Sequence, residues 1–133
     1  MYKEAMTQST PHVPISWGEL IDKITILEIK VDRLADAAAR ANAAKELALL
    51  QDVAGPALAR TTDLAGELRA VNGALWQVED ALRDHEREHR FDDAFIQLAR
   101  AVYRHNDDRA AIKRRINQAL GSALVEEKSY KPY

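Results

Sequence analysis

The chain has 133 residues, of which 47% are hydrophobic and 30% are charged, and its formal net charge is -2. One domain of this composition can bury a core, and its charge gives no general attraction to nucleic acid or anionic lipid. The absence of cysteine excludes disulfides and thiolate chemistry and is consistent with a reducing compartment.

The N-terminal residues 1–14 read as an extended segment, because Pro11 and Pro14 interrupt regular structure. Met1–Thr10 lacks the apolar core of a secretory signal, and no segment approaches the roughly 18 apolar residues of a membrane span. We therefore expect a cytoplasmic protein with no membrane partner.

Three long stretches carry a sevenfold, largely apolar pattern, with steps that alternate between three and four residues. The rows are Trp17, Leu20, Ile24, Leu27, Val31, Leu34, Ala38 and Ala41; Leu64, Leu68, Val71, Leu75, Val78 and Leu82; and Phe91, Phe95, Leu98, Val102, His105, Arg109, Ile112, Ile116 and Ala119. Such steps place each row on one side of a helix. The pattern predicts an all-α protein, an antiparallel bundle of three long helices over residues 15–121.

Helix 1 has a clear predicted start. Ser16 is followed three residues later by Glu19, the capping-box spacing that satisfies orphan backbone donors. We expect this helix to continue to about Asp52, before Gly55-Pro56 interrupts the chain.

Helix 2 is predicted over residues 56–89. Gly66 and Gly73 lie seven residues apart on the face opposite its apolar row, next to Trp76. One interpretation is a solvated face that tolerates two helix-weakening glycines. The other is a shallow groove that receives the C-terminal tail or a second subunit.

Helix 3 is predicted from Asp93 to Leu120, with Asp92 at its start and Gly121 as its C-cap. Its weak point is His105–Asp108, a run of poor helix formers, and a kink near residues 105–107 is the expected form of any irregularity. Residues 122–133 form a polar C-terminal tail, whose tyrosines would dock on the bundle or on a partner unless the tail stays flexible.

Several segments resemble a family of small bacterial proteins of unknown function. They are Trp17–Lys30, Val71-Asn72 with Leu75-Trp76, Phe95–Arg100, Tyr103 with Asn106-Asp107 and Arg109-Ala110, and Glu126–Tyr130. The resemblance covers about residues 14–130 and implies no activity. Some relatives accompany genes for surface-sugar assembly, which supplies an alternative function only.

The segment His85–His89 fits the His-Glu-x-x-His pattern, in which two histidines four residues apart on a helix bind zinc. Charged residues between them, a position at a helix end and the lack of a third ligand argue against a zinc protease. The helix dipole alone favours histidine there. We assign no metal and no cofactor, and His85 and His89 remain only weak candidates.

His105 and Arg109 place polar groups in the otherwise apolar row of helix 3. The partners that we expect at this level, from helix rise, are Asn72 and Glu79 on helix 2 and Glu28 and Arg33 on helix 1. A buried arginine needs partners, so these residues form either a network that sets helix register or the wall of a pocket. The candidate binding residues are Asn72, Glu79, Tyr103, His105, Asn106, Arg109 and Lys113.

No catalytic constellation is present in the sequence, and Lys113-Arg114-Arg115 points in different directions on a helix, which does not favour nucleic acid. The leading hypothesis is a protein-interaction or self-associating structural module, with a protein partner or a homo-oligomer. The alternative is a protein or enzyme that binds a small anionic metabolite or a sugar nucleotide in the polar layer.

Overall fold

The structure, a computed structural model, describes residues 9–133, and the first part of the predicted N-terminal segment lies outside this range. The described residues form five helices and no strand, which confirms the all-helical class. The helices are α1 (Trp17–Arg33), α2 (Ala37–Ala54), α3 (Ala57–Arg60), α4 (Thr62–Arg87) and α5 (Asp93–Leu120).

The prediction of one continuous first helix is wrong, because α1 ends at Arg33 and α2 begins at Ala37. Leu34 has extended backbone angles, and the Asp36 carboxylate accepts a hydrogen bond of 2.8 Å from the Ala39 amide to cap α2. Helix α2 then contacts α1 instead of continuing its line. The alanine-rich sequence is compatible with helix on both sides of the break, so the burial of α1 by α2 determines where the chain turns.

Helix α1 lies at the centre of the molecule and contacts α2, α4 and α5. Burial extends around most of α1, because Ile21 and Ile29, which lie outside its predicted row, are 0% and 2% exposed. The core cluster joins all four long helices through Leu20, Ile21, Ile24, Ala54, Leu68, Ile112 and Ile116. A helix buried on several sides carries apolar residues all round instead of a single stripe.

Helix α4 starts later than predicted, since a short α3 and the buried Thr61 separate it from Pro56. The end of α4 at Arg87 and the start of α5 at Asp93 lie closer to the positions predicted from the sequence. Asp92 caps α5 by accepting a 3.0 Å hydrogen bond from Phe95, and Gly121 ends α5 in the left-handed conformation at a φ of 62°. Helix α5 continues unbroken through His105–Asp108.

Beyond the residues that line pockets with α1 or with the tail, helices α4 and α5 extend as a two-helix hairpin, which we call the arm (residues 81–98). Within the arm only His85 is buried, although the apolar rows continue along both helices. Phe91 and Ile96 are 54% and 48% exposed. The arm therefore forms one layer without a third helix across it in the described part of the chain.

Candidate functional site

The centre of the polar layer is Asp22 on α1, a carboxylate with no exposed surface. Arg109 of α5 donates from Nε to Asp22 Oδ1 at 3.0 Å and from Nη2 to Asp22 Oδ2. Asn72 of α4 donates to Asp22 Oδ1 at 2.8 Å and to the Thr25 hydroxyl at 3.0 Å. One carboxylate thus binds groups from two other helices, and its hydrogen bonds offset the cost of its burial.

Arg109 keeps its charge in this arrangement. Donation to the Asp22 carboxylate raises the pKa of Arg109 above its ordinary value, and this effect exceeds the opposing effect of burial. The Arg109 side chain is 29% exposed, so part of it contacts solvent while the rest is buried. The two-point geometry is the one in which arginine binds carboxylates most strongly.

Lys113 lies one turn further along α5 and is nearly buried, with 9% of its side chain exposed. Its ammonium donates to Glu19 at 2.7 Å and to Glu126 of the tail at 3.4 Å, and it lies 4.0 Å from Asp22 Oδ2. Glu126 also binds Lys128 at 3.0 Å, and its pKa is lowered first by that hydrogen bond and then by the charge of Lys113. The tail is therefore tied to the polar layer by charge.

Gly18 brings the start of α1 against α5. A Cβ atom at this position would lie 2.5 Å from the carbonyl oxygen of Lys113, closer than real Cβ atoms approach. The Gly18 amide instead donates to Asn117 Oδ1 at 2.6 Å, and the Trp17 amide donates to the Ser122 hydroxyl at 3.3 Å. The close approach sets the register that places Asp22 opposite Arg109.

Three pockets surround this polar layer. The first, of about 460 Å³, lies between α1, α4 and α5 and is lined by Ile26, Ile29, Asn72, Leu75, Trp76, Glu79, Asp80, Asn106 and Arg109. The second, of about 340 Å³, lies on the other side of Arg109 and reaches Lys113 and Glu126. The third, of about 820 Å³, lies between α5 and the tail.

Residues 11–133 match the sequence profile of a family of unknown function, DUF6165. The chain belongs to this family. No curated protein and no solved structure matches it. Membership covers nearly all described residues and agrees with the resemblance in the sequence, but it assigns no activity.

In the DUF6165 chain, six of the seven predicted binding residues are distributed over these three pockets. Asn72, Glu79 and Arg109 line the first pocket, and Lys113 lines the second. Asn106 lines all three, and Tyr103 lines the third. His105 is half-buried and lines none of these three pockets.

Two of the partners predicted for the polar layer of this DUF6165 protein are wrong. Glu28 pairs with Arg69 at 3.4 Å, and Arg33 donates to the Gly73 carbonyl at 3.4 Å. The prediction assumed a helix that continued to residue 52. Because α1 ends at Arg33 and crosses α5 near its own start, Asp22 takes the place expected for Glu28.

Asp22 was missed because it lies outside the apolar row of α1 and reads as a solvated charge. The available signal was the distribution of the other apolar residues in the same helix. Ile21, Ile26 and Ile29 also lie outside the row, and apolar residues on several sides of a helix indicate burial on several sides. A charge in such a helix requires a partner.

The His-Glu-x-x-His segment does not present two histidines on one helix face. Helix α4 ends at Arg87, and His89 follows it with a φ of 53°. The buried His85 ring lies with Nδ1 2.8 Å from the Arg90 carbonyl oxygen, a contact that closes the turn. Residues 9–133 contain no group of three or more His, Cys, Asp or Glu side chains arranged to hold a metal ion.

Of the two interpretations of the glycine face of α4, the surroundings of Gly66 fit the solvated face, whereas Gly73 lies against α1. An added Cβ at Gly66 would meet no atom within 4 Å, whereas one at Gly73 would lie 3.5 Å from Arg33 Nη2. Trp76 turns towards the first pocket.

Within residues 9–133, no helix combines the length and the hydropathy that crossing a bilayer requires.

Proposed function

We propose that this protein is a self-associating structural module in which the arm is the contact surface. The observation that carries the proposal is the absence of a buried apolar residue in the arm, although Leu82, Phe95 and Leu98 continue the pattern of a packed helix pair. Two helices alone leave the flanks of their apolar faces in water, and pairing with two further helices removes that exposure.

A second copy of the same chain is the partner that fits this surface. Arg83, Arg87 and Arg90 alternate with acidic residues along the arm, so no region of a single sign selects a polyanion or a polycation. Two hairpins related by a twofold axis make a four-helix bundle, the common way in which identical surfaces close. This bundle between two chains is distinct from the three-helix bundle that the sequence predicts within one chain, and a cytoplasmic location is part of the proposal.

The test is the mass of the intact protein by sedimentation equilibrium between about 1 and 100 μM, the range in which transient dimers dissociate. We expect a reversible approach to twice the 14.9 kDa of one chain. Replacing Ile96 by lysine should weaken dimerisation at least about tenfold, because a charge at a desolvated contact is costly.

Leu49→Lys is the matched control, since Leu49 is 55% exposed on α2, away from the arm. It should leave the dissociation constant unchanged. A protein that remains monomeric at all concentrations would overturn the proposal, as would an equal loss of association in the two variants. Circular dichroism checks that both variants remain helical.

The alternative, a small-molecule site, is supported by the first pocket. Its wall combines the Trp76 indole with the polar side chains of Asn72, Glu79 and Arg109, a mixture suited to a sugar or an anionic metabolite. A thermal-shift screen with sugar phosphates and nucleotide sugars tests it. Stabilisation that Trp76→Leu removes would support this site, and no stabilisation by any member would exclude it for those classes.

A further inference from the structure

The tail and α5 enclose the largest of the three pockets, which we call the tail cleft. Its volume of about 820 Å³ is within the range of sites for small organic ligands. Tail residues 128 and 130–133 form one wall, and Ala99, Ala110 and Ala111 of α5 form part of the other. Because these alanines are small, the cleft stays open between the tail and the helix.

Most of the tyrosines of this chain line the tail cleft. Three of its four tyrosines lie there, namely Tyr103, Tyr130 and Tyr133. Tyr103 and Tyr133 meet edge to face, with ring centroids 4.9 Å apart, while Tyr130 and Tyr133 remain 72% and 75% exposed. Exposed aromatic faces beside a cleft provide surfaces on which a planar ring can stack.

The same cleft carries unneutralised positive charge. Arg114 and Lys131 line it, and neither forms an ion pair with a carboxylate among residues 9–133. Lys128 differs, because it binds Glu126 and lies 5.6 Å from the centre of the Tyr130 ring. The one acidic side chain in the lining, Asp107, accepts a hydrogen bond from Tyr133 that raises the pKa of this phenol.

We propose that the tail cleft binds a ligand with a planar aromatic ring and an anionic group, the chemical class of a nucleoside phosphate. The tyrosines would stack on the ring, and Arg114 and Lys131 would bind the phosphate through charge-assisted hydrogen bonds. Neither the arm contact nor the Trp76 pocket is needed for this site, so its outcome is independent of both parts of the proposed function.

The experiment is isothermal titration of the full chain with AMP, with adenosine and inorganic phosphate as separate probes. AMP should bind one molecule per chain and at least about tenfold more tightly than either fragment, because ring and phosphate are held together. Tyrosine side-chain NMR signals should shift on addition of AMP, which locates binding at the cleft.

Tyr130→Leu and Lys131→Gln should each weaken AMP binding by about tenfold, through loss of stacking and of a cation respectively. Both positions are exposed, so neither substitution should affect folding. Lys45→Gln, at an exposed position on α2, is the control and should bind AMP as the parent does.

Three results would overturn the proposal. They are absence of saturable AMP binding at millimolar concentration, equal affinity for AMP and inorganic phosphate, and affinity that Tyr130→Leu and Lys131→Gln leave unchanged. Sedimentation of the same two variants should give the parent mass, which separates this result from that of the arm.

Discussion

Asp22 and Arg109, separated by 87 residues in sequence, form the ion pair that joins the first helix to the last. The carboxylate is completely buried, whereas the arginine retains 29% of its side-chain exposure. Because Asn72 binds the same carboxylate, α4 is held at the same level. The pair therefore connects three helices at one point, next to the pockets that could take a ligand.

Replacing Asp22 by alanine should lower the free energy of unfolding by about 3 kcal/mol, because it leaves Arg109 without its acceptor and removes one of the two acceptors of Asn72. The measurement is urea unfolding monitored by circular dichroism. The control is Asp84→Ala, since Asp84 pairs with Arg87 at 2.7 Å on the surface and should contribute no more than about 0.5 kcal/mol. Adding Arg109→Met to Asp22→Ala should restore part of the loss, and equal losses at Asp22 and Asp84 would contradict the role of the pair.

Replacing Gly18 by alanine should destabilise the protein by about 1–3 kcal/mol, because the new methyl group would overlap the Lys113 carbonyl. Gly66→Ala is the matched control within helix α4, where no atom lies within 4 Å of the added Cβ. That substitution should stabilise by up to about 1 kcal/mol, since glycine is a poor helix former. The melting temperatures of the two variants should thus shift in opposite directions. A higher melting temperature for Gly18→Ala than for the parent would contradict the close contact.

Replacing Asp36 by alanine should cost about 1 kcal/mol, because the Asp36 carboxylate caps the first turn of α2. Asp36→Asn should retain most of the stability, since the amide oxygen accepts the same hydrogen bond. Asn42→Ala, at an exposed position within α2, is the control and should be neutral or slightly stabilising. If Asp36→Ala matched this control in urea unfolding, the break before α2 would not depend on the cap.

The sequence predicted those elements whose signals are local. The capping hydrogen bond from Glu19 to Ser16, the Asp92 cap and the Gly121 C-cap are each confirmed, because a few neighbouring residues determine them. The break between Leu34 and Asp36 was not predicted. Alanine-rich sequence has the propensity to continue as helix, and the Asp36 cap and the packing of α2 back onto α1 together favour the turn.

The candidate site was predicted in the same uneven way. Arg109 was identified because an arginine in an apolar row demands a partner, and Asn72 was placed at the correct level. Asp22 was not identified, because its burial depends on three surrounding helices whose crossing no local pattern records. Docking of the tail tyrosines on the bundle was one of the alternatives from the sequence, but the tail cleft was not predicted, since the path of residues 122–133 depends on contacts such as those of Glu126 with Lys113.

Acidification should remove the stabilising effect of Asp92. The pKa of Asp92 is lowered from its ordinary 3.8, chiefly by the hydrogen bond it accepts from the Phe95 amide and then by the charges of His85 and Arg90. A carboxylate with a lower pKa in the folded than in the unfolded state stabilises the fold fully above pH 3.8, and this stabilisation is lost as the pH falls through the lowered value.

The difference in melting temperature between the parent and Asp92→Ala should therefore be constant at neutral pH and shrink as the pH falls to about 2. Asp92→Asn separates charge from capping, because its amide oxygen accepts the Phe95 hydrogen bond without a charge. The melting temperature of the parent should exceed that of Asp92→Asn at pH 7 and should equal it in acid. If the difference between the parent and Asp92→Asn were as large in acid as at pH 7, the charge of Asp92 would contribute nothing to the α4–α5 turn.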